Sequence, residues 1–280
     1  MAYEEIIYEV SDHIATIALN RQAKINAWTN VMEKEVEKAM HDAGKDDAVR
    51  VIILTGAGRG FCAGADMSML DNLAGSGKSE ADLKRSMGEH LKLNGATRDG
   101  IRVDFQKTYS YMPAIGKPII GAVNGAAAGL GLVISLYCDI RFASDQAKFS
   151  TAFARRGLIA EHGISWLLPR TVGVANALDL LYTARLIDAA EALRMGLVSR
   201  VIPQEQFMGE VRKYATELAT AASPRSTRVI KSQVYGALFQ SLGEAIDVAN
   251  EEMVKSFTSA DFKEGVAHFL EKRAPAFTGK

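Results

Sequence analysis

Two turns rich in glycine and alanine hold the residues best suited to chemistry, and what they offer is backbone rather than side chain. The first lies in Lys117 to Arg141, KPIIGAVNGAAAGLGLVISLYCDIR. This reads as a strand from Pro118 to Val123, a turn at Asn124-Gly125, a run of very small residues and a helix from about Leu130 to Tyr137, with a second strand from about Asp139. Each glycine removes a Cβ that would hold another group away from the main chain. A helix that begins just after Gly129 leaves its first N–H groups without intrahelical acceptors, and the positive end of its dipole adds to their pull on negative charge. A partly negative oxygen would fit there, although tight packing of helix on strand would use the same small residues. The second turn, Gly56-Ala-Gly-Arg-Gly-Phe-Cys-Ala-Gly-Ala-Asp-Met67, follows Arg50 to Thr55 (RVIILT), a β-branched run typical of a strand buried on both faces. It is another place where backbone can approach a ligand closely.

The elements that would position these turns follow from the periodicity. Ile6 to Val10 and Ile14 to Leu19 read as short strands around the turn Ser11-Asp12-His13. A helix begins at Thr29 or Asn30, with Glu33 in its first turn and Val31, Met32, Val36, Ala39 and Met40 at helical spacing. Residues 68 to 112 read as a mobile loop with one or two helices over a pocket. After the central segment come strands at 140–143 and 148–150, an irregular stretch from Thr151 to Gly163, and helices at 164–172 and 175–184. Asp188 and Glu191 start a short helix closed by Gly196, and Leu197 to Ile202 is a strand. Beyond Pro203 the strand signal stops, and helices are expected at about 204–221, 224–239, 242–257 and 261–272. The reading is an α/β core over residues 1–203 and a helical region over 204–280.

The totals narrow the function. With 280 residues, 48% of them hydrophobic, the chain can bury one large domain. Its 33 basic and 33 acidic residues leave no net charge, which gives no support to a nucleic-acid or acidic-membrane partner. The two cysteines, Cys62 and Cys138, form no CxxC or Cys/His cluster, so a reduced compartment is expected and a structural metal is not. The N-terminus MAYEEIIYEV has no targeting pattern and no apolar run reaches spanning length, so the expectation is a soluble, cytoplasmic protein.

Taken together, residues 21–28, 59–67, 117–139 and 261–277 resemble the crotonase superfamily, the enoyl-CoA hydratase/isomerase proteins, over essentially the whole chain. Phe61 to Met67 looks like the family's oxyanion segment, Val123 to Gly131 with Cys138-Asp139 like its central motif, and Asp261 to Val266 with Phe269 to Arg273 like its last helix. The resemblance implies a crotonase-like ββα spiral core, a C-terminal helical trimerisation region giving a homotrimer or a hexamer, and acyl-CoA substrates with no separate cofactor. It implies coenzyme A contacts at Arg21, Ala23, Lys24 and Ala27, at Ala63, Ala65, Asp66 and Met67, and at Lys272. It also implies that the N–H groups of Ala65 and Leu130 hold the thioester oxygen. Such donors act without titrating, and each is typically worth about 10²- to 10³-fold in rate.

The carboxylates then decide the reaction. Family hydratases place one glutamate inside the central helix and another in the following segment, but the matching positions here are Val133 and Phe153. Neither moves a proton. Gly157 to Gly163 (GLIAEHG) instead resembles the segment of peroxisomal-type Δ3,Δ2-enoyl-CoA isomerases in which a single glutamate is the base, which places that role on Glu161. A 1,3-proton shift needs only one group that takes a proton and returns it. A first-turn acid before Ile164 would also explain Glu161. His162 reads as a wall or structural residue in preference to the base, Asp66 as the cap of the next helix in preference to a coenzyme A contact, Arg155 and Arg156 as a solvated or subunit-contact pair, and Asp139 as structural. Glu89 and His90 fall in the variable insertion.

Two other classes remain in view. A hydratase, or a catalytically silent CoA-binding protein, would share the fold, and fold alone does not choose among them. Val51 to Gly60 (VIILTGAGRG) is similar to the nucleotide turn of short-chain dehydrogenases, but Cys62 stands where that turn needs its last glycine and no tyrosine has a lysine four residues later.

Overall fold

The computed structural model describes residues 3–90 and 101–280. A hairpin opens the chain: strands β1 (Ile6–Ser11) and β2 (Ile14–Leu19) run antiparallel, and the two residues between them, Asp12 and His13, have φ of 51° and 64°. Positive φ at both central positions matches the twist of paired strands, and Asp and His tolerate it better than branched residues. Helix α1 (Asn30–Lys45) follows, capped by Thr29, whose hydroxyl accepts the Met32 N–H at 3.1 Å.

The core then repeats one step, in which the first strand of a pair joins one sheet, the second joins another sheet, and helices follow. The pairs are β3 (Val51–Gly56) with β4 (Gly60–Cys62), β5 (Ile119–Val123) with β6 (Ala126–Ala128), and β7 (Ile140–Ser144) with β8 (Lys148–Ser150). Helices α2 (Met67–Ala74) and α3 (Glu80–His90) follow the first pair, α4 (Leu130–Leu136) the second, and α5 (Ile164–Val172) and α6 (Val174–Thr183) the third. Strand β9 (Ile187–Asp188), helix α7 (Ala189–Arg194) and strand β10 (Arg200–Ile202) complete the sheets. The larger sheet has the order β1-β2-β3-β5-β7-β10, parallel after the hairpin, and the smaller has the order β4-β6-β8-β9. This is a ββα spiral.

Strand β3 is buried at every position, as its β-branched run requires. Ile52 and Leu54 face the main core, whereas Val51 and Ile53 face helix α8 (Phe207–Ala221). That helix offers Phe207, Val211, Ala215 and Ala219, all buried, at four-residue spacing. The first helix after Pro203 therefore covers the sheet and shares its core. One departure from expectation is β6: a run of three alanines, poor strand formers by propensity, is a strand because β4 and β8 pair with it on either side.

Helices α9 (Pro224–Ala237), α10 (Leu242–Phe257) and α11 (Ala260–Glu271) end the chain. A buried polar cluster fastens α9 to the core. The Lys231 ammonium lies 2.8 Å from the Asp139 carboxylate and also donates to the carbonyls of Met112 (3.1 Å) and Lys117 (3.0 Å). Asp139 accepts from the Ile119 N–H at 2.7 Å and from the Tyr235 hydroxyl at 2.9 Å, so the structural reading of Asp139 holds. Burial pulls the Lys231 pKa down, and Asp139 opposes that shift. Removing one member of such a pair leaves the other charge buried without compensation. Lys231→Met is accordingly expected to lower unfolding free energy by about 3 kcal/mol in chemical denaturation; a change within experimental error would mean that the cluster does not anchor α9.

Candidate active site

The small residues of the two turns let the main chain of β4 and that of β6 run side by side and then end together. A Cβ on Gly131, in the first turn of α4, would stand 2.2 Å from the Cys62 carbonyl oxygen. Gly64 has φ of 100°, and a Cβ there would meet the Ala128 carbonyl oxygen at 2.9 Å and the Leu130 nitrogen at 3.8 Å. No larger residue fits at either place. On the other edge of this segment, Trp28 donates its N–H to Gly64 at 2.8 Å and accepts from Asp66 at 2.9 Å. In a parallel bridge of this kind the residue between, Ala65, turns its own N–H away from Trp28, to the side on which β6 lies. Leu130 is the first residue of α4, and no intrahelical acceptor lies behind it. Neither amide has an acceptor among the described residues.

The segment preceding Trp28 holds this arrangement in place. Ile25 and Asn26 are both left-handed, with φ of 50° and 53°, and Asn26 is fully buried. Its amide donates to the carbonyls of Ala57 (3.0 Å) and Gly60 (2.8 Å), and its Oδ1 accepts the Arg21 N–H at 2.9 Å. One side chain thus ties the 21–28 loop to both sides of the β3–β4 turn. The Arg21 guanidinium reaches Glu5 at 3.1 Å, Asp66 at 2.8 Å and the Ala27 carbonyl at 2.7 Å. Asp66 also caps α2 through the Ser68 N–H at 3.0 Å, and Arg21, followed by Ser68, holds its carboxyl down to about 2.

Glu161 lies in the irregular turn before α5, about one-third exposed at its side chain, and burial raises its pKa. Its Oε2 is 3.6 Å from Nε2 of His162. His162 is itself left-handed, with φ of 54°, and its carbonyl accepts the Tyr137 hydroxyl at 2.9 Å. The imidazole stands edge-on to Tyr109 at 5.1 Å and forms part of the wall of a cleft of about 470 Å³. Tyr109 donates its hydroxyl to the buried Glu33 at 2.5 Å. Val133 and Phe153 are both buried and supply only apolar surface.

The structure brings Ala65, Leu130 and the 21–28 loop together around the β4 and β6 ends, while Lys24 and Ala23 remain exposed on the loop and Met67 on the start of α2. Four of the expected coenzyme A contacts also have partners within the fold. Arg21 and Asp66 are tied to one another and to the fold, Ala27 engages both its N–H (to Lys24) and its carbonyl (from Arg21), and the Ala63 N–H donates to Ile25 at 2.9 Å. Lys272 is the left-handed residue closing α11, and among the described residues no hydrogen bond, ion pair or cleft joins it to the 21–28 loop. Arg155 donates to the Thr183 carbonyl at 2.8 Å and so braces α6 while remaining exposed, as Arg156 does. The side chains of Glu89 and His90 lie outside the described residues. Sequence reasoning missed Asn26 and the Glu33–Tyr109 pair. Asn26 had one local signal, the tolerance of asparagine for left-handed backbone; the pair had none, since its members are 76 residues apart. No group of His, Cys, Asp and Glu among the described residues could hold a metal ion, and no described helix is long and apolar enough to cross a membrane.

Known proteins are similar to this chain in sequence and fold over nearly its whole length. The sequence model of the enoyl-CoA hydratase/isomerase family matches residues 9–93 and 76–280. A probable enoyl-CoA hydratase of Mycobacterium bovis is 35% identical over 99% of both chains, and the 1,2-epoxyphenylacetyl-CoA isomerase of Escherichia coli is 32% identical over 99% of both. The crystal structure of an enoyl-CoA hydratase subunit from Geobacillus kaustophilus superposes with a TM-score of 0.86 at 30% identity, covering 99% of each chain. With a ββα spiral, paired glycine-rich turns and relatives aligned over their full length, this chain belongs to the enoyl-CoA hydratase/isomerase family of the crotonase superfamily.

Proposed function

We propose that the protein is an enoyl-CoA isomerase that moves the double bond of a 3-enoyl thioester into conjugation, with Glu161 as its single acid–base group. The observation that carries this reading is the set of three positions at which a carboxylate would act: Val133 and Phe153 are buried and apolar, and only Glu161 is ionisable. The thioester oxygen lies between the N–H groups of Ala65 and Leu130. Ionised Glu161 takes a proton from C2, the electron pair spreads into the thioester as an enolate whose charge the two amides accept, and the same carboxyl returns the proton at C4. The double bond ends between C2 and C3, with no net gain or loss of atoms. Coenzyme A enters as part of the substrate, along the exposed Ala23, Lys24 and Met67 edge, and no further cofactor takes part.

A second reading, hydration of a 2-enoyl thioester, draws on the hydratase names that several relatives carry. It requires a water positioned and deprotonated without help from Val133 or Phe153. The proposal also includes assembly as a trimer or a pair of trimers. Its basis is the apolar surface that α9 to α11 leave uncovered in one chain, including Val234 (60% exposed), Val254 (62%) and Phe269 (76%).

Glu161→Gln keeps the shape and removes the base. It is expected to slow conversion of 3-enoyl- to 2-enoyl-CoA by at least about 10²-fold while thioester binding persists, and wild-type protein is expected to hydrate 2-enoyl-CoA poorly; fast hydration, or full isomerase activity in the variant, would reverse the assignment. Because only the ionised carboxylate accepts a proton and burial raises its pKa, kcat/KM should rise with pH through a midpoint above that of an ordinary glutamate. A wild-type acid limb at the ordinary position would place Glu161 in water, not against the substrate. Light scattering at micromolar concentration should give three or six times the mass of one chain, and a monomer would count against the proposed assembly.

A further inference from the structure

The cleft that His162 helps to line has seven aromatic side chains in its wall, His162 included, several of them packed on one another. Phe105 meets Tyr235 and Phe239 edge-on, with centroids 6.0 Å apart in each case, and Phe239 stacks on Trp166 at 5.5 Å with planes 12° apart. Arg102 lies over Phe239 at 4.2 Å and Arg170 over Trp166 at 4.1 Å. At the Glu161 end, Tyr109 and His162 stand perpendicular, and Tyr137 holds the His162 carbonyl. The tyrosine hydroxyls are already used within the protein: Tyr235 donates to Asp139, Tyr109 to Glu33 and Tyr137 to His162. Because Phe239 and Trp166 already have partners over their faces, the walls present mainly ring edges, and no free tyrosine hydroxyl, to an occupant.

We infer that the acyl group carried into this cleft bears an aromatic ring. The inference rests on the thioester placement proposed above and takes the acyl group past Glu161 into this cleft, whose wall includes His162, with its Nε2 3.6 Å from the Glu161 carboxylate. A cleft of about 470 Å³ is far more than a four-carbon acyl group fills, given that one water takes about 30 Å³ of liquid. A straight chain of sufficient length would fill the volume, but it loses many torsions on ordering. A ring is already rigid, and it adds edge-to-face contacts that a methylene chain does not make.

Saturated thioesters test the inference without turnover, because they have no double bond to move. 4-Phenylbutanoyl-CoA and decanoyl-CoA carry the same number of acyl carbons, and calorimetric titration of the wild-type protein should show the phenyl compound binding at least about 10-fold more tightly. Trp166→Ala and Phe239→Ala should each reduce that preference several-fold, and Phe239→Leu, which keeps apolar bulk without the ring, should do the same. Equal affinity for the two thioesters, as would follow if a neighbouring copy of the chain filled the cleft, overturns the inference, as does a preference that survives in all three variants. The outcome is independent of Glu161: loss of the ring preference leaves the base assignment standing, and full activity of Glu161→Gln leaves the binding result standing.

Discussion

The close approach of two main-chain segments is the constraint on which the rest depends. Strands β4 and β6 pair so tightly that Gly131 abuts the Cys62 carbonyl and Gly64 the Ala128 carbonyl, and a methyl group at either place would collide with backbone. This proximity sets Gly64, the neighbour of Ala65, against the start of α4 at Leu130. Backbone donors held by a sheet need no reorganisation when charge develops nearby, which is the physical reason such a site is made from small residues. Asn26 and the Arg21–Asp66 pair act one layer further out, fixing the loop that flanks Ala65 on its other edge.

A second theme is the separation of charge stabilisation from proton transfer. The amides do not titrate, so the whole pH response of the proposed reaction falls on Glu161. Its pKa is set by burial in a turn that carries left-handed His162. The neighbouring carboxylate Glu33 is taken up by the Tyr109 hydroxyl and buried in the core, and Asp66 is committed to Arg21. Acidic residues are thus present around the site, but hydrogen bonding removes these two from the chemistry.

The helices that end the chain are more closely bound to the site than their position in sequence suggests. Helix α8 closes the back of the large sheet, and α9 is pinned by Lys231 to Asp139, at the junction between α4 and β7. The same Asp139 holds Tyr235, whose ring is part of the cleft wall, so the cluster that anchors α9 also shapes the space beyond Glu161.

Much of this was legible in the residues. RVIILT announces a strand buried on both faces, Asn124-Gly125 and the glycines that follow announce a turn with free backbone, and Thr29 and Asp188 cap helices where short polar side chains precede helical periodicity. The tail beyond Pro203 resolved into its helices because their apolar spacing is local. The family motifs supplied, by position, the proposed oxyanion pair and the proposed base Glu161. Tertiary structure alone decided that Ala126 to Ala128 form a strand, because an alanine run has no preference until β4 and β8 pair with it. It alone paired Arg21 with Asp66 and joined Glu33 to Tyr109. Those outcomes depend on which groups meet across long sequence separations, and local propensity holds no information about such meetings.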